Sequence, residues 1–282
     1  MQLFQSEPIS RHITRIRGAA GEIMYLIEGT KESVLVDTGC GFGDLKGYLA
    51  QLTNREVTVL LTHGHVDHAM GAGAFANVYM NPDDLELYAY HTGEEFIEKG
   101  LKPFVGEALF ARLKPTLRHT RPSFFLPLLD GMVFSLGDVT LEVYDAKGHS
   151  KGSVAILVVE ERMLIIGDAC TANTLLYAEG TLPVEAYLHS LEGLQEKTKG
   201  RYDRMLFSHG SGESIPGFIE SGIALCREIL AGTDDAVPYV FLGDPAFVGK
   251  ARDQRLKRYD GGLANIVYRK EQIWLSQKKI TF

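Results

Sequence analysis

Residues 61–73 read LTHGHVDHAMGAG. Three of the chain's 9 histidines, His63, His65 and His68, stand there beside Asp67. The segment before them, VTVLL (57–61), is short, β-branched and apolar, the pattern of a buried strand. Alternate residues leaving a strand point the same way, so the His63 and His65 rings can converge on one ion. Asp67 and His68 follow in the turn towards AMGAGAF and can face a second ion. Gly64, Gly71 and Gly73 let backbone pass close to such a site. Imidazole nitrogen and carboxylate oxygen suit zinc and, less selectively, iron. His12, His91, His119 and His189 read as ordinary surface or core groups.

Working outward, ITRIRG, EIMYLIEG (22–29) and SVLVDTG (33–39) read as strands between glycine breaks, and FANVYM (75–80) as another. DLKGYLAQL (44–52) has helical spacing. Residues 82–128 turn helical, from an N-cap-like Asn81 followed by Pro82, with breaks at Pro103 and Pro115. Strands resume at MVFSL, VTLEVYDA, SVAILVVE and RMLIIGD. A helix over 184–197, the strand RMLFSHG (204–210), a helix near 217–231 and a strand pair in LANIVYRKEQIWLS complete the chain. Strand and helix blocks mix throughout its 282 residues, so the expectation is one α/β domain.

More ligand-type residues stand just past apolar runs, where a sheet presents groups at its edge. They are His149 in AKGHSKGS, Asp168 in LIIGDA and His209 in MLFSHG. Cys170, two residues past Asp168, reads as a small buried hydrophobe rather than a ligand. The net charge of −7, with 36 acidic against 29 basic side chains, argues against a sequence-independent nucleic-acid partner. The 3 cysteines, Cys40, Cys170 and Cys226, form no CxxC and no disulfide framework, so a reducing cytoplasm is expected. The N-terminal segment lacks the apolar core of a secretory signal, and the run VAILVV (154–159) is too short to span a bilayer.

HGHVDH, then GHS, GD and SHG in that order, with Asp37 in VDTG, resembles the metallo-β-lactamase superfamily over about residues 20–215. The resemblance implies an αββα sandwich with two metals at the edge of the paired sheets, here with a helical insertion (about 82–128) and a C-terminal extension (about 235–282). One metal takes His63, His65 and His149; the other takes Asp67, His68 and His209; Asp168 bridges them. Asp37 does not ligate but holds the cluster loop. Two such ions, most simply zinc with iron or manganese as alternatives, share a water and lower its pKa. The hydroxide attacks an ester, thioester or lactone carbonyl of a small molecule, and Asp67 orients it.

Rival readings differ in class. GHSKG (148–152) matches a nucleophile elbow around Ser150, but the apolar SVAILVVE that follows reads as a strand, not the required helix. GCGFGD (39–44) fails the dinucleotide spacing at Asp44. Within the superfamily, flavodiiron proteins carry glutamate where His65 stands, typical β-lactamases lack an aspartate like Asp168, and lactonases place tyrosine where Thr171 stands. Glyoxalase II-like thioesterases share the full ligand set. A mononuclear iron persulfide dioxygenase is the non-hydrolytic alternative. The stretch 82–128 is expected to lean over the metals as a lid, with Tyr88, Tyr90, Phe96 and Phe104 as apolar walls. The basic run KARDQRLKR (250–258) and Lys151 are candidate contacts for an anionic substrate group. The sequence is silent on oligomeric state.

Overall fold

The computed structural model describes residues 2–118, 124–178, 180–241 and 243–276. Its first sheet runs, in spatial order, β1 (Phe4–Pro8), β2 (Ile13–Gly18), β3 (Ile23–Glu28), β4 (Ser33–Val36), β5 (Val57–Leu60), β6 (Val78–Met80) and β7 (Leu126–Pro127). β1 to β4 form an antiparallel meander, and β4 to β7 pair in parallel. The second sheet is ordered β14 (Glu213–Ser214), β13 (Arg204–Phe207), β11 (Met163–Gly167), β10 (Val154–Val158), β9 (Thr140–Asp145) and β8 (Val133–Ser135).

The inner faces of these sheets supply one core, with Ile23, Tyr25 and Ile27 from β3 among Val143, Val154, Ile156 and Ile165 of the second sheet. The opposite face of the first sheet, with Met24, Leu26 and Val59, is covered by α1 (Leu45–Leu49) and α2 (Val66–Ala69). Residues 82–128 contain α3 (Leu85–His91), α4 (Glu94–Phe96), α5 (Lys102–Val105) and α6 (Glu107–Leu113). Ala155, Leu157, Leu164 and Ile166 pack against α7 (Val184–Thr198) and α8 (Phe218–Ala231). The layers are therefore helix, sheet, sheet, helix, as expected. Double coverage explains why β10 and β11 are continuous apolar runs: successive side chains enter different cores.

Several sequence expectations are corrected. The helix expected over 44–52 is only α1: the Asp44 carboxylate caps its start by accepting the Gly47 N–H, and residues 50–52 continue as a turn. LANIVYRKEQIWLS is not a strand pair. It yields one strand, β17 (Ile266–Tyr268), then a 3₁₀ turn at Lys270–Gln272. β17 joins a third sheet ordered β12 (Thr174–Leu176), β17, β16 (Asp244–Val248) and β15 (Val237–Phe241). The basic run 250–258 forms no helix. Three of its five positive charges are used internally, Lys250 pairing with Glu228, Arg258 with Asp260, and Arg252 donating to Asn173 and the Ala172 carbonyl, while Arg255 and Lys257 are exposed.

The helical insertion is packed down rather than raised. Ile97, Leu101, Phe110 and Leu113 share a cluster with Cys40, Phe42, Val66 and Met70. Tyr88 is buried against Phe125, so it supports the sandwich and does not wall a pocket. The Phe104 side chain and His119 lie outside the described residues.

Ile156 fills the inter-sheet core, whereas Val133 on β8 is 61% exposed. Ile156→Ala is expected to cost about 2–5 kcal/mol in urea denaturation, and Val133→Ala less than about 0.5 kcal/mol. Equal losses at the two positions would contradict the layer assignment.

Candidate metal centre

Every residue of the candidate centre leaves the C-terminal end of a strand or the turn beyond it. His63, His65, Asp67 and His68 follow β5; His149 lies between β9 and β10; Asp168 follows β11; His209 follows β13. The structure brings all seven together in two groups. His63, His65 and His149 form one; Asp67, His68, Asp168 and His209 form the other, each with its donor atoms within 4.8 Å of one another.

In the first group, His65 Nδ1 lies 3.0 Å from His63 Nε2 and 2.9 Å from His149 Nε2. The far nitrogen of His149 donates to the Leu175 carbonyl at 3.0 Å, which leaves its Nε2 lone pair facing inward. His63 Nδ1 sits 3.1 Å from Thr62 Oγ1. Burial, then the neighbouring rings, push the His63 and His65 pKa values well down, so both rings are neutral. Three inward-facing lone pairs suit a cation bound at about 2.0–2.1 Å from each nitrogen.

In the second group, His209 Nε2 is 3.1 Å from Asp67 Oδ2 and 3.3 Å from Asp168 Oδ2. His68 Nε2 is 3.6 Å from Asp67 and 3.7 Å from Asp168. Asp168 Oδ2 is also 3.9 Å from His149 Nε2, so it stands between the groups. Burial raises the Asp67 and Asp168 carboxyl pKa values, but the adjacent His68 and His209 outweigh it and hold both well below the usual range. The two carboxylates in turn overcome burial to push His209 up to about 10, and Asp67, Asp37 and Asp168 together push His68 well above its ordinary value. Two largely buried carboxylates thus draw positive charge into this space, of the kind a divalent cation would supply. Buried His68 Nε2 and Asp168 Oδ1 make no hydrogen bond among the described residues. The donor set fits the implied metals.

Asp37 is buried under the second group. Its Oδ1 accepts the Thr62 N–H at 2.7 Å, and its Oδ2 faces His68 Nδ1 at 2.8 Å, Thr62 Oγ1 at 2.8 Å and Ser208 Oγ at 3.3 Å. Its φ of 61° is left-handed, a conformation aspartate tolerates better than most residues. Tyr25, Arg15 and Arg17 hold the His209 turn. The Tyr25 hydroxyl lies 2.6 Å from the Phe207 and Gly212 carbonyls, and the two arginines donate to the carbonyls of Gly210 and Ser211.

His91, read from the sequence as an ordinary group, is drawn into the site. It stacks on His65 at 4.5 Å and on Phe96 at 3.9 Å, and burial lowers its pKa to about 4. Its ligand-free context, LYAYHTG, gave no signal. Ser150 is fully buried and donates to Asp84 at 2.6 Å. With β10 rather than a helix after it, it is no nucleophile elbow. Cys170 is buried and donates to the Phe218 carbonyl at 3.3 Å, as expected of a small core residue. Lys151 is exposed, two residues from His149. A cavity of about 280 Å³ lies beside the glycine-rich loop, lined by Gly41, Gly43, Asp44 and Arg118. It is separate from the candidate ligands.

Residues 22–209 match the Metallo-beta-lactamase superfamily, and the chain belongs to it. Human acyl-coenzyme A thioesterase MBLAC2 is 25% identical over 205 residues, which cover 66% of this chain and 72% of that protein. Atrochrysone carboxyl ACP thioesterase of Aspergillus terreus is 24% identical over 173 residues, covering 57% of this chain and 45% of that one. Among solved structures, a metallo-beta-lactamase from Pontibacter korlensis superposes with a TM-score of 0.59 at 16% identity, covering 79% of this chain and 99% of that one. A metallo-beta-lactamase family protein from Thermus thermophilus gives 0.53 at 22% identity, covering 82% and 80%. These structures share the fold.

Asp37→Ala strands the Thr62 and Ser208 donors in the interior. It is expected to lower the stability of metal-free protein by about 2–4 kcal/mol, the order seen when buried donors lose their acceptor. Chemical denaturation in chelator checks this, and an unchanged midpoint would refute the anchoring role.

Proposed function

We propose that this chain is a binuclear metal-dependent hydrolase of acyl thioesters. His63, His65 and His149 hold one ion, Asp67, His68 and His209 the other, and Asp168 lies between. The observation that carries this is the meeting of all seven side chains in two adjoining groups. Thioesterase-named relatives in the same superfamily support a hydrolase and favour the thioester over the other carbonyl substrates. The nitrogen and oxygen donors favour zinc, with iron and manganese as competitors.

When bound, the two ions supply Lewis acidity, acidifying a water and polarising the thioester carbonyl. The protein's own groups do the rest. Asp67 is held ionised, and its carboxylate would accept a hydrogen bond from the attacking water and orient it. The far nitrogens of His149 and His68 are fixed by the Leu175 carbonyl and Asp37, so their rings cannot turn away. The departing thiol is far more acidic than an alcohol and leaves as thiolate without a separate acid. Ser150, spent on Asp84, has no nucleophilic role.

The substrate approaches along the insertion. From 64%-exposed Tyr90, aromatic rings step inward to Phe96 at 5.4 Å, His91 at 3.9 Å and His65 at 4.5 Å. This file offers an acyl chain an apolar wall ending at a ligand. The chain acts as one domain, with both the insertion and the C-terminal extension contributing to the site. No helix among the described residues is long and apolar enough to cross a membrane. Three buried, unpaired cysteines support a reducing compartment such as the cytoplasm.

Purified protein is expected to hold about two divalent ions per chain. It should release thiol from acyl-coenzyme A, lose that activity on chelation and regain it with zinc. Full activity in stripped protein sinks the proposal. Oxygen uptake on a persulfide without thioester cleavage would replace it with the dioxygenase reading. Phe96→Ala should raise KM for long-chain acyl thioesters roughly 10- to 200-fold, or about 1–3 kcal/mol of pocket contact, and spare acetyl thioester. Equal effects on both chain lengths would remove the insertion from the acyl site.

A further inference from the structure

Asp84 is a fully buried carboxylate in the first turn of the insertion, remote in sequence from every candidate ligand. Its three close partners are all donors. Oδ2 accepts the Gly64 N–H at 2.8 Å and the Ser150 hydroxyl at 2.6 Å; Oδ1 accepts the Gly152 N–H at 2.7 Å. Gly64 lies between His63 and His65, and Ser150 follows His149. One carboxylate therefore ties the turn leaving the first sheet to the turn joining β9 and β10 of the second. These are the two turns that carry the three-histidine group.

The contact is close enough to dictate sequence around it. A Cβ at Gly64 would lie 2.8 Å from the Asp84 carbonyl oxygen, and one at Gly152 would lie 2.7 Å from Asp84 Cγ. Two glycines in the motifs HGHVDH and GHSKG are thus explained by one buried acid. The Ser150 hydroxyl is also 2.7 Å from Ser153 Oγ, which accepts the Ser150 N–H at 3.1 Å, so the turn is braced a second time.

We infer that Asp84 is the positioning residue of the three-histidine site, fixing the spacing between the His63–His65 turn and the His149 turn through Gly64, Ser150 and Gly152. Its side-chain hydrogen bonds all go to those turns. The second group has its own anchor in Asp37. Asp37 also reaches His63 through Thr62, whereas the Asp84 side chain bonds only to the turns of the three-histidine group, so loss of Asp84 falls selectively on that site. This inference rests on the ligand assignment proposed above.

The test is cobalt(II) titration of chelator-stripped, full-length protein, followed by its visible absorption and by equilibrium dialysis. His149→Ala and His209→Ala identify which bands belong to which group. Asp84→Ala is expected to weaken cobalt binding at the three-histidine site roughly 10- to 100-fold, the order seen when a ligand's supporting partner is lost, and to shift the other site less than about threefold. Ser150→Ala removes one donor of three and should give the same site-selective loss in milder form. If Asp84→Ala does not fold, Asp84→Asn carries the test. Its amide keeps one acceptor but turns an N–H towards a backbone N–H, so the same site should weaken.

Equal loss at both sites, or unchanged binding with only a lower melting temperature, overturns the inference while leaving the binuclear proposal intact. A wild-type protein that takes up no cobalt overturns both. Restoration of the bands in Asp84→Ala at high cobalt, with kcat recovering and KM unchanged, agrees with a positioning role.

Discussion

Seven ligand-type side chains from four separate turns converge at one edge of a two-sheet sandwich, and His63, His68 and His149 among them are shut away from water. Gathering carboxylates and imidazoles there is unfavourable in isolation, because buried polar groups lose their hydration. The structure tolerates it in two ways. Among the described residues, the donor atoms of each group face one another across a space that a cation fits. Behind them, His149 is bonded to the Leu175 carbonyl, His68 to the buried Asp37 and His63 to the Thr62 hydroxyl. The rest of the fold serves that second condition.

Three supports recur, each from a different part of the chain. Asp37, at the end of β4, lies under His68 and reaches Thr62 and Ser208 from both neighbouring turns. Asp84, at the start of the insertion, joins the turns of the three histidines. The Leu175 carbonyl, on β12, orients His149, and β12 is itself paired in parallel with β17 from the C-terminal extension. The extension therefore reaches the centre through one hydrogen bond. The third sheet, otherwise remote from the site, helps set which nitrogen of His149 faces inward.

The layered fold was legible because buried strands and amphipathic helices leave different periods. SVAILVVE and RMLIIGD read as strands, and they are; their unbroken apolar runs reflect cover on both faces. The seven side chains were legible because each stands just past such a run. What escaped notice was whatever acts through backbone. Asp84 sits in NPDDLELY as an apparent helix-start acid, and Arg15 and Arg17 look like solvent-facing strand residues. Their partners are N–H and carbonyl groups from distant turns, and no residue pattern records those. The hairpin of β15 and β16 was also missed. Pro238 and Pro245 interrupt its strand pattern, and the first strand lies at a sheet edge where proline is tolerated.

GHSKG shows why a motif needs its surroundings. Read alone, its serine sits between two glycines as a nucleophile would. A nucleophile elbow lifts its hydroxyl above the sheet by passing from strand to helix. Here β10 follows, the chain turns back into the sheet, and the Ser150 hydroxyl points down onto Asp84. The same five residues then do a different job. His149 faces the candidate ion site, Ser150 faces the buried acid, and Gly152 makes room for the carboxylate. The direction of the chain after the turn decides which chemistry the segment can perform.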